Sequence, residues 1–233
     1  MSESFKYPGD ELDLFQHAQH WKKYFSNVIK KNIRGNVLEV GAGIGSTTLL
    51  LNDGSAGSWR MLEPDTDLYK SLLEKKNIFP GNTSIKKGSI HDINDRLDTI
   101  IYIDVLEHIE NDRDEVERAS QLLNPGGYLI ILSPAFQHIY SPFDKAIGHF
   151  RRYTRKTIQQ LRPGSMTSIT CRYYDSVGYF ASLMNRALLK QKKPSLNQVR
   201  FWDNWMIPLS RFTDTLFMHS FGKSIICIWK KVS

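Results

Sequence analysis

Three glycines occupy alternate positions after a short apolar run: Gly41, Gly43 and Gly45 follow Glu39 and Val40. Where a strand enters a helix through such glycines, the backbone can approach a ligand that any Cβ would exclude, and the first helical N–H groups can bind it. The spacing differs from the dinucleotide pattern G-x-G-x-x-G, and the sequence contains no G-x-x-x-x-G-K-[ST] phosphate loop. The segment therefore predicts a ligand cradle of a different kind.

An acid, Glu63, ends the next apolar segment and is followed by Pro64. Ligands of open parallel sheets bind at the carboxyl ends of the strands, so this side chain is expected beside the glycines. A carboxylate there can accept hydrogen bonds from both hydroxyls of a ribose, each contributing about 1.5–3 kcal/mol. The alternative is a solvated acid before a proline turn.

Two further segments reach the same edge. The stretch GSIHDIN follows the third predicted strand and YIDVLEHIEND contains the end of the fourth. Ser89 and Ile90 in the first, and residues 104–106 in the second, are therefore expected beside the crevice. Together these loops could enclose a nucleoside and its attached chain.

The elements that position these residues alternate along the chain. An apolar stripe at three- and four-residue spacing predicts one helix over residues 11–33. Short apolar strands then alternate with helical segments up to Pro134, which favours a parallel sheet covered on both faces. The sequence Asn124-Pro-Gly-Gly127 is expected to close the last of these helices. Two later strands are predicted at 166–175 and 223–231, with an apolar insertion between them.

The composition is that of an ordinary globular protein, with 233 residues, 41% hydrophobic and 24% charged. The net charge of +7 permits an acidic partner without requiring one. Two cysteines are too few for a disulfide framework and lack zinc-site spacing, so we predict no metal site and a reducing, cytoplasmic location. The N-terminus does not resemble a secretory signal, and no apolar run is long enough to cross a bilayer.

Four segments in order, EVGAGIG, LEPD, DVLEHI and LNPGGYL, resemble the class I S-adenosylmethionine-dependent methyltransferases over about residues 10–160. The resemblance implies an α/β fold: a Rossmann-like, seven-stranded, mostly parallel sheet with helices on both faces and an antiparallel last strand, 223–231. It implies one methyltransferase domain over 1–233. Residues 1–34 would form a helical cap, 35–135 the cofactor-binding core, and 136–233 the acceptor-side loops, apolar insertion and final strands.

The resemblance also implies S-adenosylmethionine as cofactor and S-adenosylhomocysteine as product. Glu39 would offset the cationic charge of the cofactor, directly or through water; alternatively, nearby backbone N–H groups would satisfy it. His108 would hold a loop or touch the cofactor. The implied cofactor-binding residues are Glu39, Gly41, Ala42, Gly43 and Gly45 at the methionine part, Glu63 and Pro64 at the ribose, Ser89 and Ile90 at the adenine, and Asp104, Val105, Leu106 and His108 at the sulfonium side.

The acceptor is expected near the segment SPFDKAIGHFRRYT, which follows the fifth strand. The catalytic candidates are His138, Asp144, His149 and Arg152: a histidine could act as base, and Arg151 with Arg152 could bind an anionic acceptor. In the alternative interpretation, Asp144 and Arg152 pair to pin the loop. This segment and the early YPGDELDLF are similar to a bacterial branch of methyltransferases found beside glycosyltransferases. That similarity implies a small-molecule, sugar or lipid-linked glycan acceptor, anionic or lipid-linked.

Two other functions stay open from the sequence: a non-catalytic cofactor-binding or scaffolding protein of the same fold, and an RNA methyltransferase. The sequence lacks the N/D-P-P-[YFW] segment of base amino-methylating enzymes, so no nucleic acid partner is expected. The apolar insertion would suit a lipid-lined pocket, a lid or a peripheral membrane contact, although its helical spacing favours burial in the core. Its large apolar residues are Trp202, Trp205, Met206, Phe212, Phe217 and Met218.

Overall fold

The computed structural model describes residues 6–9, 11–186 and 193–232. Within these ranges one sheet has seven strands in the order β3-β2-β1-β4-β5-β7-β6. Strands β1 to β5 are parallel, and β7 runs antiparallel to both β5 and β6. The predicted fold, including the antiparallel last strand, is confirmed. The strands are β1 (Asn36–Val40), β2 (Ser58–Glu63), β3 (Thr83–Lys87), β4 (Leu97–Ile103), β5 (Leu123–Pro134), β6 (Met166–Tyr174) and β7 (Ser224–Lys231).

Helices cover both faces of this sheet because successive strand residues point to opposite sides. Leu129 of β5 packs in a first core with Val116 from one helix, whereas Ile130 packs in a second core with Phe25 and Ile207 from two others. The helices are α1 (Glu11–Phe15), α2 (Gln19–Ile29), α3 (Ser46–Leu51), α4 (Thr66–Glu74), α5 (Asp112–Leu122), α6 (Pro142–Ala146), α7 (Arg155–Gln159), α8 (Ser176–Met184), α9 (Leu196–Phe201) and α10 (Ile207–Leu216). A π-helical segment, Trp202–Met206, joins α9 to α10.

The N-terminal stripe forms two helices, so the prediction of one helix over residues 11–33 is wrong. Helix α1 ends at Phe15 and α2 begins at Gln19. The buried Asp203 carboxylate accepts hydrogen bonds from the backbone N–H groups of His20 and Trp21, at 3.0 and 2.8 Å. This acceptor comes from a distant part of the chain, and it satisfies donors that a continuous helix would have bonded internally.

The prediction for Asn124-Pro-Gly-Gly127 also needs correction. Helix α5 ends at Leu122, and the tetrapeptide lies inside the span of β5, where the register between β4 and β5 shifts. Gly126 has a φ of +78°, a conformation that glycine adopts without the Cβ penalty. The glycines therefore form an irregularity in the strand and not a separate turn.

The apolar insertion is held to the domain through buried aspartates. Asp214 of α10 accepts hydrogen bonds from the backbone N–H groups of Asp175 and Ser176, both at 2.8 Å, and from the Tyr24 hydroxyl at 3.0 Å. Asp175 in turn accepts a bond of 2.8 Å from the Trp202 indole. The Asp214 carboxylate of α10 therefore joins the start of α8 and the Tyr24 hydroxyl of α2.

The outer side of the insertion is exposed, which contradicts the expectation of burial. Trp202 packs against the second core and Met206 is half-buried. In contrast, Trp205 is 71% exposed and Met218 is 79% exposed, and Phe212 and Phe217 are also exposed. The buried side of the π-helical segment and α10 carries Asp203, Ser210 and Asp214 together with Ile207. The large apolar side chains of these two elements therefore face outward. No helix among the described residues is long and apolar enough to span a membrane.

Replacing Asp214 with alanine should destabilise the protein strongly. Three donors that are buried around this carboxylate would lose their acceptor, so we expect the free energy of unfolding to fall by at least about 2 kcal/mol. Thr215→Ala, at an exposed position of the same helix, should change it by less than about 0.5 kcal/mol. Urea unfolding measures both values; equal effects of the two substitutions would contradict this role of Asp214.

Candidate functional site

A cavity of about 1170 Å³ opens at the carboxyl ends of the central strands. Val40, Glu63 and Ile103, at the ends of β1, β2 and β4, contribute to its wall. The opposite wall comes from the N-terminal segment and from helices α8 and α9. The position is the one expected for a ligand of an open parallel sheet, and the volume suffices for a nucleoside together with a second molecule.

The glycine bend between β1 and α3 forms the floor of this cavity. Gly41, Gly43 and Gly45 have φ values of +66°, +56° and +79°. A Cβ on Gly41 would lie 2.6 Å from Val105 Cγ2, and one on Gly45 would lie 2.5 Å from Phe79 Cζ. Glycine is thus required at these two positions by packing as well as by backbone conformation. At Gly43 the conformation alone requires it.

Glu63 joins this bend to the end of β2. One carboxylate oxygen accepts a hydrogen bond of 2.8 Å from Gly43 N–H, and the other accepts one of 2.9 Å from Asp65 N–H. The side chain is buried and lines the cavity, so it is not the solvated acid of the alternative interpretation. Burial raises the pKa of Glu63 to about 7, against the opposing effect of the two backbone bonds.

Glu39 is set back from the cavity. Its buried carboxylate accepts hydrogen bonds from the Thr48 hydroxyl at 2.5 Å and from the Trp59 indole at 2.9 Å. Its partners are therefore side chains and not the backbone N–H groups that the alternative interpretation expected. Burial raises its pKa to about 7. An effect of Glu39 on the cofactor, directly or through water, stays a prediction.

The other predicted cofactor residues divide into two groups. Leu106 is buried in the first core and Gly45 turns toward Phe79 and Leu72, so both stand behind the cavity wall. The expectation that they border the ligand stays a prediction. The residues that do line the cavity are Gly41, Ala42, Gly43, Glu63, Pro64, Ser89, Ile90, Asp104, Val105 and His108.

Asp104 has a strained backbone at the end of β4, with a φ of +52°. Its side chain is reachable through the cavity but is surrounded by protein, and this burial raises its pKa to about 6 against the effects of His149 and Lys223. Non-glycine residues in this conformation cluster at functional sites. The position supports the prediction that Asp104 lies beside the reacting groups.

The acceptor-side candidates form a compact network around Asp144. His149 Nδ1 lies 2.9 Å from Asp144 Oδ1, and Arg152 binds both Asp144 oxygens, at 2.8 and 3.0 Å. Burial alone would raise the pKa of Asp144, but hydrogen bonds from His149 and Arg152 hold it below its usual range. The pairing of Asp144 with Arg152 is the geometry of the loop-pinning interpretation. An acceptor role for Arg152 stays a prediction.

The two other members of the predicted acceptor set lie apart from this network. Arg151 binds the Asp112 carboxylate at 2.6 Å, so both arginines already contact carboxylates. His138 lies outside the cavity wall, and its Nε2 is 2.9 Å from the Tyr179 hydroxyl. The structure therefore does not bring His138 together with His149, although both follow the fifth strand.

Two contributors to the site were missed from the sequence. Glu107, within the DVLEHI segment, is buried in the cavity wall beside His108 and His149. The N-terminal segment packs over the glycine bend: Tyr7 N–H donates to Asp65 at 2.8 Å, and a Cβ on Gly43 would contact Leu12 at 3.5 Å. The segment YPGDELDLF is similar to part of a bacterial branch of methyltransferases, but its periodicity did not indicate that the segment would pack over the site.

The mostly parallel sheet with a reversed seventh strand and a glycine-floored cavity defines the Rossmann-like methyltransferase fold. Residues 12–162 match the family described as "Methyltransferase domain", and the chain belongs to this family. It is an S-adenosylmethionine-dependent methyltransferase, as the resemblance implied. No curated protein matches the chain significantly.

Solved structures with the same fold have low sequence identity to this chain. The N-methyltransferase NodS from Bradyrhizobium japonicum WM9, in complex with S-adenosyl-L-homocysteine, has a TM-score of 0.58 and 13% identity, covering 94% of this chain and 88% of its own. A chain from the Haloferax volcanii complex that contains the Trm112 methyltransferase activator has a TM-score of 0.66 and 13% identity, covering 99% and 100%. The [4+2]-cyclase SpnF has a TM-score of 0.61 and 10% identity, covering 96% and 94%. At these identities the similarity shows the fold alone.

Replacing Glu39 with glutamine should reduce the pH dependence of stability. The pKa of Glu39 is about 7 in the native state, whereas an unfolded glutamate titrates near about 4.3. Between these values the native state retains a proton that the unfolded state has lost, so the free energy of unfolding falls as the pH rises. Glutamine removes this contribution. Urea unfolding across that interval should show a smaller decline for Glu39→Gln; a decline as large as that of the unmodified protein would refute the assignment.

Proposed function

We propose that this methyltransferase transfers the methyl group to a hydroxyl of a lipid-linked glycan at a membrane surface. One observation carries the proposal: a single cavity extends from the glycine bend and Glu63 to the helical insertion, where Phe201 and Trp202 contribute to its wall. The polar part of an acceptor would lie near the bend, and its apolar part near the insertion. The insertion continues outward as an exposed apolar face.

The cofactor end fits S-adenosylmethionine. Glu63 offers a buried carboxylate for the ribose hydroxyls, and Ser89, Ile90 and Asp104 line the same cavity, where we assign the first two to the adenine and Asp104 to the sulfonium. When bound, S-adenosylmethionine supplies an electrophilic methyl group whose bond to sulfur breaks with both electrons remaining on sulfur. Because the leaving group is neutral, the residues of the chain chiefly have to align the reactants and exclude water.

The N-terminal segment supports this water exclusion. A Cβ on Gly148 would lie 2.9 Å from Pro8 Cγ, so Pro8 packs closely on the acceptor-side loop. The Tyr7 ring contacts the His108 ring edge-on at 5.3 Å. Tyr7, Pro8 and Leu12 thus lie between the cofactor and acceptor sides of the cavity, where a cover would separate the reaction from bulk water.

The acceptor end combines a polar wall with an apolar one. Glu107, His108 and His149 line the cavity on one side, and Ala181 and Met206 contribute apolar surface from the insertion. Such a combination suits a molecule with hydroxyl groups at one end and a hydrocarbon chain at the other. A purely polar sugar would leave the apolar wall without a partner.

The exposed face of the insertion has the composition of an interfacial helix. We call the following residues the outer stripe; they recur at three- or four-residue spacing over 196–216 and are between 52% and 71% exposed: Phe201, Trp205, Leu209, Phe212 and Leu216. The acids of this segment, Asp203 and Asp214, are buried, whereas Arg200 and Arg211 are exposed. A helix with exposed aromatic and arginine side chains and no exposed acid favours an anionic lipid surface.

Binding of S-adenosylhomocysteine tests the cofactor assignment. Glu63→Gln replaces one acceptor oxygen with an amide and should weaken binding at least about tenfold, since hydrogen bonds to a charged group are lost. Glu74→Gln makes the same change at an exposed position of α4 outside the cavity wall and is the matched control, with affinity within about threefold of the unmodified protein. Isothermal titration calorimetry gives the dissociation constant of S-adenosylhomocysteine for each variant, and NAD serves as a ligand that should not bind. Tighter binding of NAD, or unchanged binding to Glu63→Gln, would argue against the proposal.

Vesicle flotation tests the membrane assignment. The chain should float with phosphatidylcholine–phosphatidylglycerol vesicles, and the double substitution Trp205→Ser, Phe212→Ser should weaken the partition at least about tenfold through lost apolar burial. Ile169→Ser is the control, because Ile169 is also 52% exposed but lies on β6. Affinity for S-adenosylhomocysteine should be the same in all three proteins. Failure of the unmodified protein to float would leave a soluble acceptor as the substrate class.

A further inference from the structure

Three potential metal ligands meet in the polar wall of the cavity. One ligand atom from each of Glu107, His108 and His149 lies within 4.8 Å of the others. No other group of three such ligands as close together is found among the described residues. Two ligands bound at about 2.0–2.2 Å to one cation lie about 3 to 4 Å apart. The distance of 3.8 Å between His149 Nε2 and Glu107 Oε1 falls within that spacing.

The Glu107 carboxylate lacks the hydrogen-bond donors that a buried charge requires. The side chain is 0% exposed, and neither of its oxygens has a hydrogen-bond partner at bonding distance. Buried carboxylates are normally paired, hydrogen-bonded or coordinated to a metal. Here no hydrogen-bond donor in the described part of the chain lies at bonding distance, and the basic group within ion-pair range is His149 Nε2, 3.8 Å away.

The His149 imidazole is oriented by a second hydrogen bond, as metal-bound histidines usually are. His149 Nδ1 is held by Asp144 at 2.9 Å, which leaves Nε2 directed at Glu107. The His108 ring lies beside Gly148, where a Cβ would be 3.7 Å from its Nδ1. Arg152 already pairs with Asp144, so the role of Asp144 in this wall is to orient His149.

A second histidine–carboxylate grouping shows what this arrangement adds. His91 Nε2 lies 3.5 Å from Asp114 and 3.8 Å from Glu115, distances close to those in the cavity wall. There, however, His91 and Asp114 are exposed, and Glu115 accepts a hydrogen bond of 2.8 Å from Tyr102. That surface grouping has no orphaned carboxylate, and it provides a matched control.

We infer that Glu107, His108 and His149 bind a divalent cation of the first transition row, such as Mn²⁺, Co²⁺ or Zn²⁺. Two imidazoles with one carboxylate suit these ions, and the remaining coordination positions face the cavity. Its chemical role rests on the proposed function. The cation binds the acceptor hydroxyl and promotes transfer of the hydroxyl proton to a water molecule, which makes the oxygen a better nucleophile. The sequence alone predicted no metal site, because its ligand pattern combines two adjacent residues with a third 41 positions away.

Binding of Mn²⁺ tests the inference without any measurement of activity. Protein treated with EDTA and dialysed is titrated with MnCl₂, and free Mn²⁺ is followed by its electron paramagnetic resonance signal. We expect one Mn²⁺ per chain, binding at least about tenfold weaker for Glu107→Gln and for His149→Ala, and unchanged binding for His91→Gln. Loss of binding in His91→Gln, or equal binding by Glu107→Gln, overturns the inference.

Folding of the variants is checked by thermal unfolding. Metal-free Glu107→Gln replaces a buried carboxyl group without hydrogen-bond partners by an amide of similar size and should melt near the temperature of the unmodified protein, whereas Mn²⁺ should raise the melting temperature of the unmodified protein only. S-adenosylhomocysteine titration of the EDTA-treated protein separates the two proposals. If this ligand binds but Mn²⁺ does not, the metal site is wrong and the proposed function stands; if this ligand fails to bind, the proposed function itself fails.

Discussion

Two backbone N–H groups, of Gly43 and Asp65, donate hydrogen bonds to the buried carboxylate of Glu63. This acceptor connects the end of β2 to the bend after β1, and it holds both loops where a ligand would contact them. The bend itself can be formed only by residues without side chains, because Gly41 and Gly45 pack against Val105 and against the ring of Phe79. The N-terminal segment packs on this junction through Tyr7 and Leu12, and the proposed positions of cofactor and acceptor rest on it.

The helical insertion shows how buried polar groups determine which side of a helix is exposed. Asp203 and Asp214 turn inward because they accept backbone hydrogen bonds at the starts of α2 and α8. Leaving those donors unsatisfied would cost more than exposing an apolar side chain. Trp205 and Phe212, on the opposite side, are therefore left to solvent beside the cavity. The same interactions that hold the insertion in place thus expose the surface that we assign to lipid.

Local patterns were sufficient for much of the fold and for the position of the cavity. The strands, their parallel order and the placement of Gly41 and Glu63 at the cavity follow from periodicity and from the geometry of strand ends. Periodicity alone does not show which side of a helix faces the sheet, and so burial of Trp205 was wrongly expected. Glu107 could not be recognised because its significance depends on His149, which approaches it only in the folded chain. Likewise, the bonds of Asp203 to α2 join residues more than 180 positions apart.

A crystal structure with S-adenosylhomocysteine bound would test the role of the Glu63 junction most directly. Both ribose hydroxyls should lie within hydrogen-bond distance of the Glu63 carboxylate. The adenine should lie near Ile90, and the sulfur should point toward Asp104 and the cavity wall that contains His149. A nucleoside bound elsewhere, or one whose ribose has no contact with Glu63, would contradict it.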